Sequence, residues 1–223
     1  MKYLVRRAPA SLRTSADWND PAWRELPSLS IDQFHPDSSD HRPQTRAKLA
    51  YTSDALLAMF HVRDRYVKSV SAQFQDMVCN DSCVELFVQP RPTLGYFNFE
   101  LNCGGTMLLY YIEDATRVGA AFAKYTKVSP EHAAMIEVAS TMPKQVAVEI
   151  ESPVDWSLAL RIPFAMMEPY VGAIGEIGGQ IWRGNLFKCG DQTSHPHWAS
   201  WAEIGEELNF HQPNRFGRLE FDW

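Results

Sequence analysis

The chain has 223 residues, of which 45% are hydrophobic and 22% charged, a composition typical of a globular protein. Its formal net charge is -6. No basic run offers the clustered positive charge that phosphate recognition needs, so we expect no nucleic-acid partner. No apolar stretch is long enough to cross a bilayer, so we expect no membrane span.

The first ten residues read MKYLVRRAPA, and their apolar stretch is only residues 3–5. That stretch is too short for the apolar centre of a secretory signal. We therefore expect a cytoplasmic protein by default, or an extracytoplasmic one if a signal has been removed. Prolines and glycines are scattered, and there is no repeat or linker, so residues 1–223 are predicted to form a single domain.

Strand patterns are weak over the first 45 residues and strong afterwards. The predicted strands, in chain order, are residues 48–51, 55–62, 83–88, 96–102, 106–111, 145–150, 156–162, 180–188 and 218–221. Residues 129–132 read as a helix start or a turn, and residues 164–170 as a short helical turn after Pro163.

Two of these strands indicate how the sheets pack. The strand at 55–62 is apolar on both faces, which predicts an interior strand. The strand at 96–102 alternates between an apolar face and a face formed by Tyr96, Asn98, Glu100 and Asn102. Many short strands with regular turn signals predict an all-β fold. We expect an antiparallel β-sandwich with jelly-roll or immunoglobulin-like layering and short helical turns.

The four cysteines, Cys79, Cys83, Cys103 and Cys189, contain no CxxC pair. This spacing lacks the signature of structural zinc and is too sparse for a disulfide framework. We expect buried or half-buried thiols.

Signatures of common enzymes are missing, because the chain has no GxSxG, HExxH, P-loop or GxGxxG motif. Two arrangements are left as candidates for chemistry. Glu85 and Glu100 could form a carboxylate pair, for which the alternative is two carboxylates hydrogen-bonded on a sheet face. His195 and His197 share one side of an extended segment, as metal ligands can, but a third ligand is needed.

Aromatic and polar residues are concentrated in the last third of the chain. Trp182, Trp198 and Trp201 fall within twenty residues and are mixed with Arg183 and Asn185. Aromatic rings offer stacking surfaces to sugar faces, and polar side chains bind hydroxyl groups. A tryptophan inside a strand is more often a core residue, which we expect of Trp156 and Trp182. Trp198 and Trp201 lie in a loop-like stretch and are the better ligand candidates.

At these residues the sequence resembles family 9 carbohydrate-binding modules and their DOMON-like relatives. The stretches that carry the resemblance are residues 17–23, 81–87 and 96–102, then Ser200-Trp201 with residues 216–221. They occur in the family's order and span nearly the whole chain. Two further motifs, N-x-x-K-C-G-D at residues 185–191 and F-H-x-P at residues 210–213, place the chain closer to a stand-alone subgroup.

The resemblance implies a β-sandwich that binds a mono- or oligosaccharide between aromatic rings. It assigns one stacking ring to Trp201, and Trp198 or Tyr96 could substitute for the second ring of the family's clamp. The polar contacts that it implies fall on Glu85, Asn98, Arg183 and Asn185. Glu100, on the same polar face as Asn98, is a further candidate contact. The family's second stacking tryptophan is absent, because residues 77–80 read M-V-C-N at that place.

We therefore expect a non-catalytic carbohydrate-binding domain, with two alternatives. A haem-binding domain, known among DOMON relatives, would need an axial pair such as Met59 with His61 or Met107 with His195. A carbohydrate-active hydrolase would use the two glutamates or the two histidines described above. The sequence does not specify the sugar or the oligomeric state.

Calcium, which some members of the family bind, is a further expectation. The oxygen donors in loops that hard cations prefer are Asp17, Asp20, Asp64 and Asp76. The alternative is that these carboxylates accept hydrogen bonds from the backbone of turns.

Overall fold

The computed structural model describes residues 1–9 and 12–223, which contain sixteen strands and three short α-helices. The strands are β1 (Lys2–Arg7), β2 (Leu29–Ile31), β3 (Gln33–Phe34), β4 (Gln44–Tyr51), β5 (Ala55–Asp64), β6 (Val67–Ser69), β7 (Cys83–Gln89), β8 (Tyr96–Asn102), β9 (Met107–Val118), β10 (Ala121–Lys127), β11 (Glu137–Ser140), β12 (Val146–Ile150), β13 (Val154–Pro163), β14 (Ile181–Cys189), β15 (Trp198–Ser200) and β16 (Gly217–Phe221). The helices are α1 (Pro21–Arg24), α2 (Pro130–Ala133) and α3 (Phe164–Val171).

Fourteen of the described strands form one curled sheet, and β6 pairs separately with β12. The main path runs β10-β9-β8-β7-β14-β16-β1-β4-β5-β13-β11. Most neighbours are antiparallel, but β1 runs parallel to β16 and to β4. The sheet is therefore mixed, which corrects the expectation of a purely antiparallel arrangement. The parallel pairs are those of β1, which joins the half of the sheet from β7 to β16 to the half from β4 to β13.

The core lies where the inward faces of the two halves meet. One buried cluster combines Leu86 of β7 and Phe97 of β8 with Phe60 of β5 and Leu158 of β13. β5 is paired on both edges, with β4 and β13, as its two apolar faces predict. Trp156 and Trp182 are both 1% exposed, so their assignment to the core is confirmed.

The alternation predicted for residues 96–102 is also confirmed. Phe97, Phe99 and Leu101 enter the main core, so β8 turns its polar residues to the outer face of the sheet. Outer-face residues of β7 lie next to them, because β7 pairs with β8. The outer face continues onto β14, which pairs with the other edge of β7. This outer face carries the candidate site.

The described part of the chain contains no helix with the length and apolar character that a bilayer crossing requires.

Candidate ligand-binding site

A cavity of about 680 Å³ lies on the outer face of β7, β8 and β9. Strand β10, the start of β15 and a loop near residue 210 enclose it. The residues that line it are Met77, Cys79, Glu85, Asn98, Glu100, Leu108, Tyr110, Arg117, Val118, Ala120, Ala121, Phe122, Tyr125, Cys189, Asp191, Trp198, Leu208, Asn209, Phe210 and His211. A space of this size accommodates a small polar ligand.

The floor of the cavity is polar and ordered by hydrogen bonds. Glu85 of β7 lies directly opposite Glu100 of β8 in the strand register. Asn98 donates from Nδ2 to Glu100 Oε1 at 2.7 Å, and its Oδ1 accepts from the backbone N–H of Tyr110 at 2.7 Å. Cys189 of β14 donates from Sγ to Glu85 Oε1 at 3.2 Å. These bonds fix the positions of both carboxyl groups.

Burial changes the acidity of the two glutamates. It raises the pKa of Glu85 well above its ordinary value, and the nearby Glu100 raises it further. Burial likewise raises the pKa of Glu100 above its ordinary range. Two adjacent buried carboxyl groups cannot both ionise cheaply, so near neutral pH at least one keeps its proton. The floor therefore offers both a hydrogen-bond donor and an acceptor.

Aromatic rings form the walls. Trp198 of β15 is half-buried and donates from Nε1 to Asp191 Oδ1 at 2.7 Å. Tyr110 of β9 and Tyr125 of β10 lie with ring centroids 5.2 Å apart. Phe210 stacks on Phe187 at 4.1 Å, which holds its loop against the sheet.

The remaining wall combines one cation with a neutral histidine. The Arg117 guanidinium lies 4.0 Å from the centroid of the Phe122 ring. Burial, reinforced by Arg117, lowers the pKa of His211 to about 3, so this imidazole is neutral. His211 Nδ1 forms a hydrogen bond of 2.9 Å with the Tyr96 hydroxyl.

Trp201 does not lie where the sequence analysis expected. It is only 4% exposed and belongs to the main core cluster. Its ring packs so closely on Gly217 that a Cβ there would come within 2.5 Å of it. Trp198, three residues earlier, lines the cavity instead. Trp198 lies on β15, whereas Trp201 follows the last residue of that strand, Ser200, so the two rings need not share one face.

Arg183 and Asn185 are also apart from the cavity. Arg183 donates from Nη2 to the carbonyls of Asn214 and Phe216, at 3.1 and 2.9 Å. Asn185 is buried and makes two hydrogen bonds of 2.8 Å with the backbone of Ala202. Both side chains hold loops in place. Neither lines the cavity that contains Glu85, Asn98 and Glu100.

His195 and His197 both contact the ring of His41, at centroid distances of 6.4 and 5.1 Å, but among the described residues they belong to no metal-ligand group. His195 stacks on Tyr66 at 3.7 Å, whereas His197 is buried with both ring nitrogens in hydrogen bonds. Its Nε2 lies 2.6 Å from Lys188 Nζ, and Lys188 lies 3.3 Å from Asp64 Oδ2. Asp64 also bonds His41, and these four side chains form a buried polar network between the halves of the sheet.

The two candidate haem pairs are engaged in other contacts. Met59 is fully buried, while His61 bonds the Ser157 hydroxyl at 3.0 Å. Met107 lines a separate cavity of about 300 Å³, to which His195 does not contribute. This arrangement gives no support to haem binding.

The four aspartates proposed for calcium do not converge. Asp17 and Asp20 each accept a backbone N–H two residues ahead, and Asp20 thereby caps α1. Asp76 accepts two backbone N–H groups of its own turn. Asp64 is used by the buried network. Among the described residues, these four form no metal-ligand group, so they do not fit a shared calcium site.

Comparisons with known proteins identify the family to which this chain belongs. The model of carbohydrate-binding family 9 matches residues 22–221. The chain belongs to carbohydrate-binding family 9. A comparison with curated proteins found no significant match. Membership of the DOMON-like superfamily stays a prediction.

Three solved structures are similar to this family 9 chain. The crystal structure of a proposed carbohydrate-binding protein from Bacteroides uniformis ATCC 8492 shares 26% identity, covers 99% of both chains and superposes with a TM-score of 0.86. A family 9 module from Caldicellulosiruptor kristjanssonii in complex with cellotriose shares 12% identity and has a TM-score of 0.65, covering 100% of this chain and 94% of its own. A glucose complex from the same organism has 12% identity and a TM-score of 0.61, covering 100% and 96%.

Several residues that line the cavity were not predicted from the sequence to be part of a site. Tyr125 and Phe122 lie on β10, which was not predicted. Phe210 and His211 belong to the F-H-x-P motif, and Asp191 ends the N-x-x-K-C-G-D motif. Both motifs mark a subgroup in the sequence, and the signal that could have revealed these residues is that the two motifs contribute to one cavity.

Proposed function

We propose that this family 9 chain binds a mono- or oligosaccharide in the 680 Å³ cavity, without catalysing its conversion. The observation that carries the proposal is a paired-carboxyl floor, Glu85 with Glu100, beneath a half-buried indole, Trp198. We further propose that the curled sheet acts as a two-layer sandwich, with the ligand on the outside of one layer.

The chemistry of the cavity suits a sugar. A pyranose has apolar C–H faces, for which Trp198, Tyr110 and Phe210 provide flat partners. Its hydroxyl groups both donate and accept, and the floor provides Asn98 and the partly protonated glutamates for both roles. The similar C. kristjanssonii modules were solved with cellotriose and with glucose, which makes glucose-containing saccharides the first ligands to test.

The segment that replaces the family's second tryptophan lies at this cavity. Met77 and Cys79 of the M-V-C-N segment both line the cavity. Trp198 and Tyr110 therefore take the place of a two-indole clamp in this proposal. A single indole with smaller rings favours moderate affinity, because less aromatic surface is buried on the sugar.

The test is calorimetric titration with glucose and cellotriose, together with a glycan array. Trp198→Ala should weaken binding by roughly ten- to hundredfold, since losing an aromatic platform costs about 1.4 to 3 kcal/mol.

Trp18→Ala is the matched control. Trp18 is a half-buried indole in a different recess of about 590 Å³, where it stacks on His61 at 5.3 Å. Its loss should leave the affinity unchanged. No binding of any array sugar at millimolar concentration would contradict the proposal, as would a loss of affinity in Trp18→Ala alone.

A further inference from the structure

Cys83, Glu85 and Cys189 form a compact group of metal-ligating atoms at the cavity floor. Cys83 and Glu85 share the outer face of β7, and Cys189 of β14 lies directly opposite Cys83 in the strand register. The two Sγ atoms and a carboxylate oxygen all lie within 4.8 Å of one another. All three residues are buried, and both cysteines are free thiols.

We propose that this group binds a thiophilic divalent cation of the zinc type. Cys83 Sγ, Cys189 Sγ and one oxygen of Glu85 would be the protein ligands. Two thiolates with one carboxylate are a donor set that zinc accepts in tetrahedral geometry, with metal–ligand bonds of about 2.0 to 2.3 Å. Hard cations such as calcium and magnesium avoid sulfur, so this donor set selects against them.

The position of the group gives the metal both an entry path and an open coordination position. Glu85 and Cys189 line the cavity, whereas Cys83 lies beneath them. An ion held by the three would face the cavity, where water or an oxygen of a bound ligand completes the tetrahedron. Glu100 lies across from Glu85 and is fixed by Asn98, so a second layer of hydrogen bonds surrounds the ligands.

Binding exchanges protons for the metal. The two S–H bonds break, two metal–sulfur bonds form, and two protons pass to the solvent; where Glu85 carries the proton of the carboxyl pair, its O–H bond also breaks and a third proton is released. No electron is transferred, so no oxidant or reductant is required. The exchange does not depend on the proposed sugar binding, because it can be measured without sugar.

The experiment uses Co²⁺ as a spectroscopic substitute for zinc, added to the reduced, metal-free full-length protein. Equimolar binding should produce a sulfur-to-cobalt charge-transfer band and the intense visible bands of tetrahedral Co²⁺. Added Zn²⁺ should remove both. Cys83→Ser and Cys189→Ser should each lower the charge-transfer intensity by about half or abolish binding, because each removes one of two thiolates.

Cys103→Ser is the matched control, because Cys103 is a buried free thiol in the main core and outside this group. Its spectrum should equal that of the unchanged chain. Glu85→Gln should keep the charge-transfer band but weaken Zn²⁺ binding by more than about tenfold, since even outer-shell partners contribute that much. Circular dichroism confirms that each variant is folded.

Absence of the bands at millimolar Co²⁺ would overturn the proposal. So would a charge-transfer band that keeps its full intensity in both Cys83→Ser and Cys189→Ser, or one that disappears in Cys103→Ser. Thiol titration that finds Cys83 and Cys189 joined in a disulfide under the reducing conditions would overturn it as well.

Discussion

Lys188 is the side chain on which the buried polar network depends. It is 0% exposed, and its ammonium group contacts Asp64 and His197. Burial alone would raise the pKa of Asp64, but Lys188 and the hydrogen bond from His41 hold it below its ordinary value. Burial, reinforced by Lys188, lowers the pKa of His197 to about 3. Within the network, Asp64 is therefore an anion and His197 a neutral imidazole, and the Lys188 ammonium group lies between them.

Acid should weaken this network in a defined range. The unfolded chain protonates His197 near its ordinary pKa of about 6.5, whereas the folded chain resists protonation down to about 3. The free energy of unfolding should therefore fall as the pH drops through this range. From about pH 6 to about pH 5 the contribution of His197 should be a loss of about 1 kcal/mol.

Urea denaturation of the unchanged chain and of His197→Gln at several pH values tests this prediction. The variant starts less stable, but its stability should fall less steeply with acid. Other buried groups, such as His211, titrate in both proteins and cancel in the difference. Equal slopes for the two proteins would show that His197 does not carry the effect.

Trp198 and Trp201 show which residues of the cavity the sequence can predict and which it cannot. Glu85, Asn98, Glu100 and Trp198 were predicted and do line the cavity, because strand alternation placed the first three on one outer face. Trp201 was assigned by motif alone, and the motif does not record the face on which a side chain lies. A three-residue strand, β15, is too short to be read from a periodic pattern.

At the scale of elements, β10 determines the shape of the cavity. It pairs with β9 through a register shift on either side of Lys124. Its Phe122 ring contacts Arg117 at 4.0 Å and His211 at 4.5 Å, and so joins the hairpin to the 210 loop. The sequence did not predict β10, because its charged and exposed residues hide the alternation that a half-buried strand normally shows.

Phe122→Ala should open this wall. We expect the affinity for a bound saccharide to fall by roughly three- to tenfold, since part of the enclosing apolar surface is lost. Calorimetry with the saccharide that binds most tightly on the array measures this loss of affinity. Lys124→Ala is the control on the same strand, because Lys124 is exposed and forms a surface ion pair with Glu113. A larger loss in Lys124→Ala than in Phe122→Ala would refute this role of the wall.

At the scale of the whole molecule, β1 holds the two halves of the sheet together. Its residues pair with β16 on one side and with β4 on the other. Tyr3 and Val5 enter the main core, and the backbone N–H of Leu49 donates to the Tyr3 hydroxyl at 3.0 Å. Parallel pairing between the first and last strands leaves no local signature, so the sequence could predict the strands after residue 48 but not this connection.

Deleting residues 1–7 should destabilise the protein strongly. Two buried side chains are lost, each worth about 1.5 to 3 kcal/mol, together with the backbone pairing on both edges. The midpoint of urea denaturation should fall clearly, and the remaining chain should bind a hydrophobic dye. Lys2→Ala, which removes only a surface ion pair with Glu220, should cost less than about 1 kcal/mol. An unchanged midpoint in the deletion variant would contradict this role of β1.

The parallel pairing of β1 with β16 also decides how the protein can be attached to other molecules. Residue 2 lies beside residue 218 and residue 5 beside residue 221, so the two chain ends leave from opposite ends of the strand pair. They are separated by roughly 20 Å along the strands. A circularly permuted version would need a joining peptide of at least about six extended residues. Tags or fused domains at the two ends would project in opposite directions and would not crowd each other.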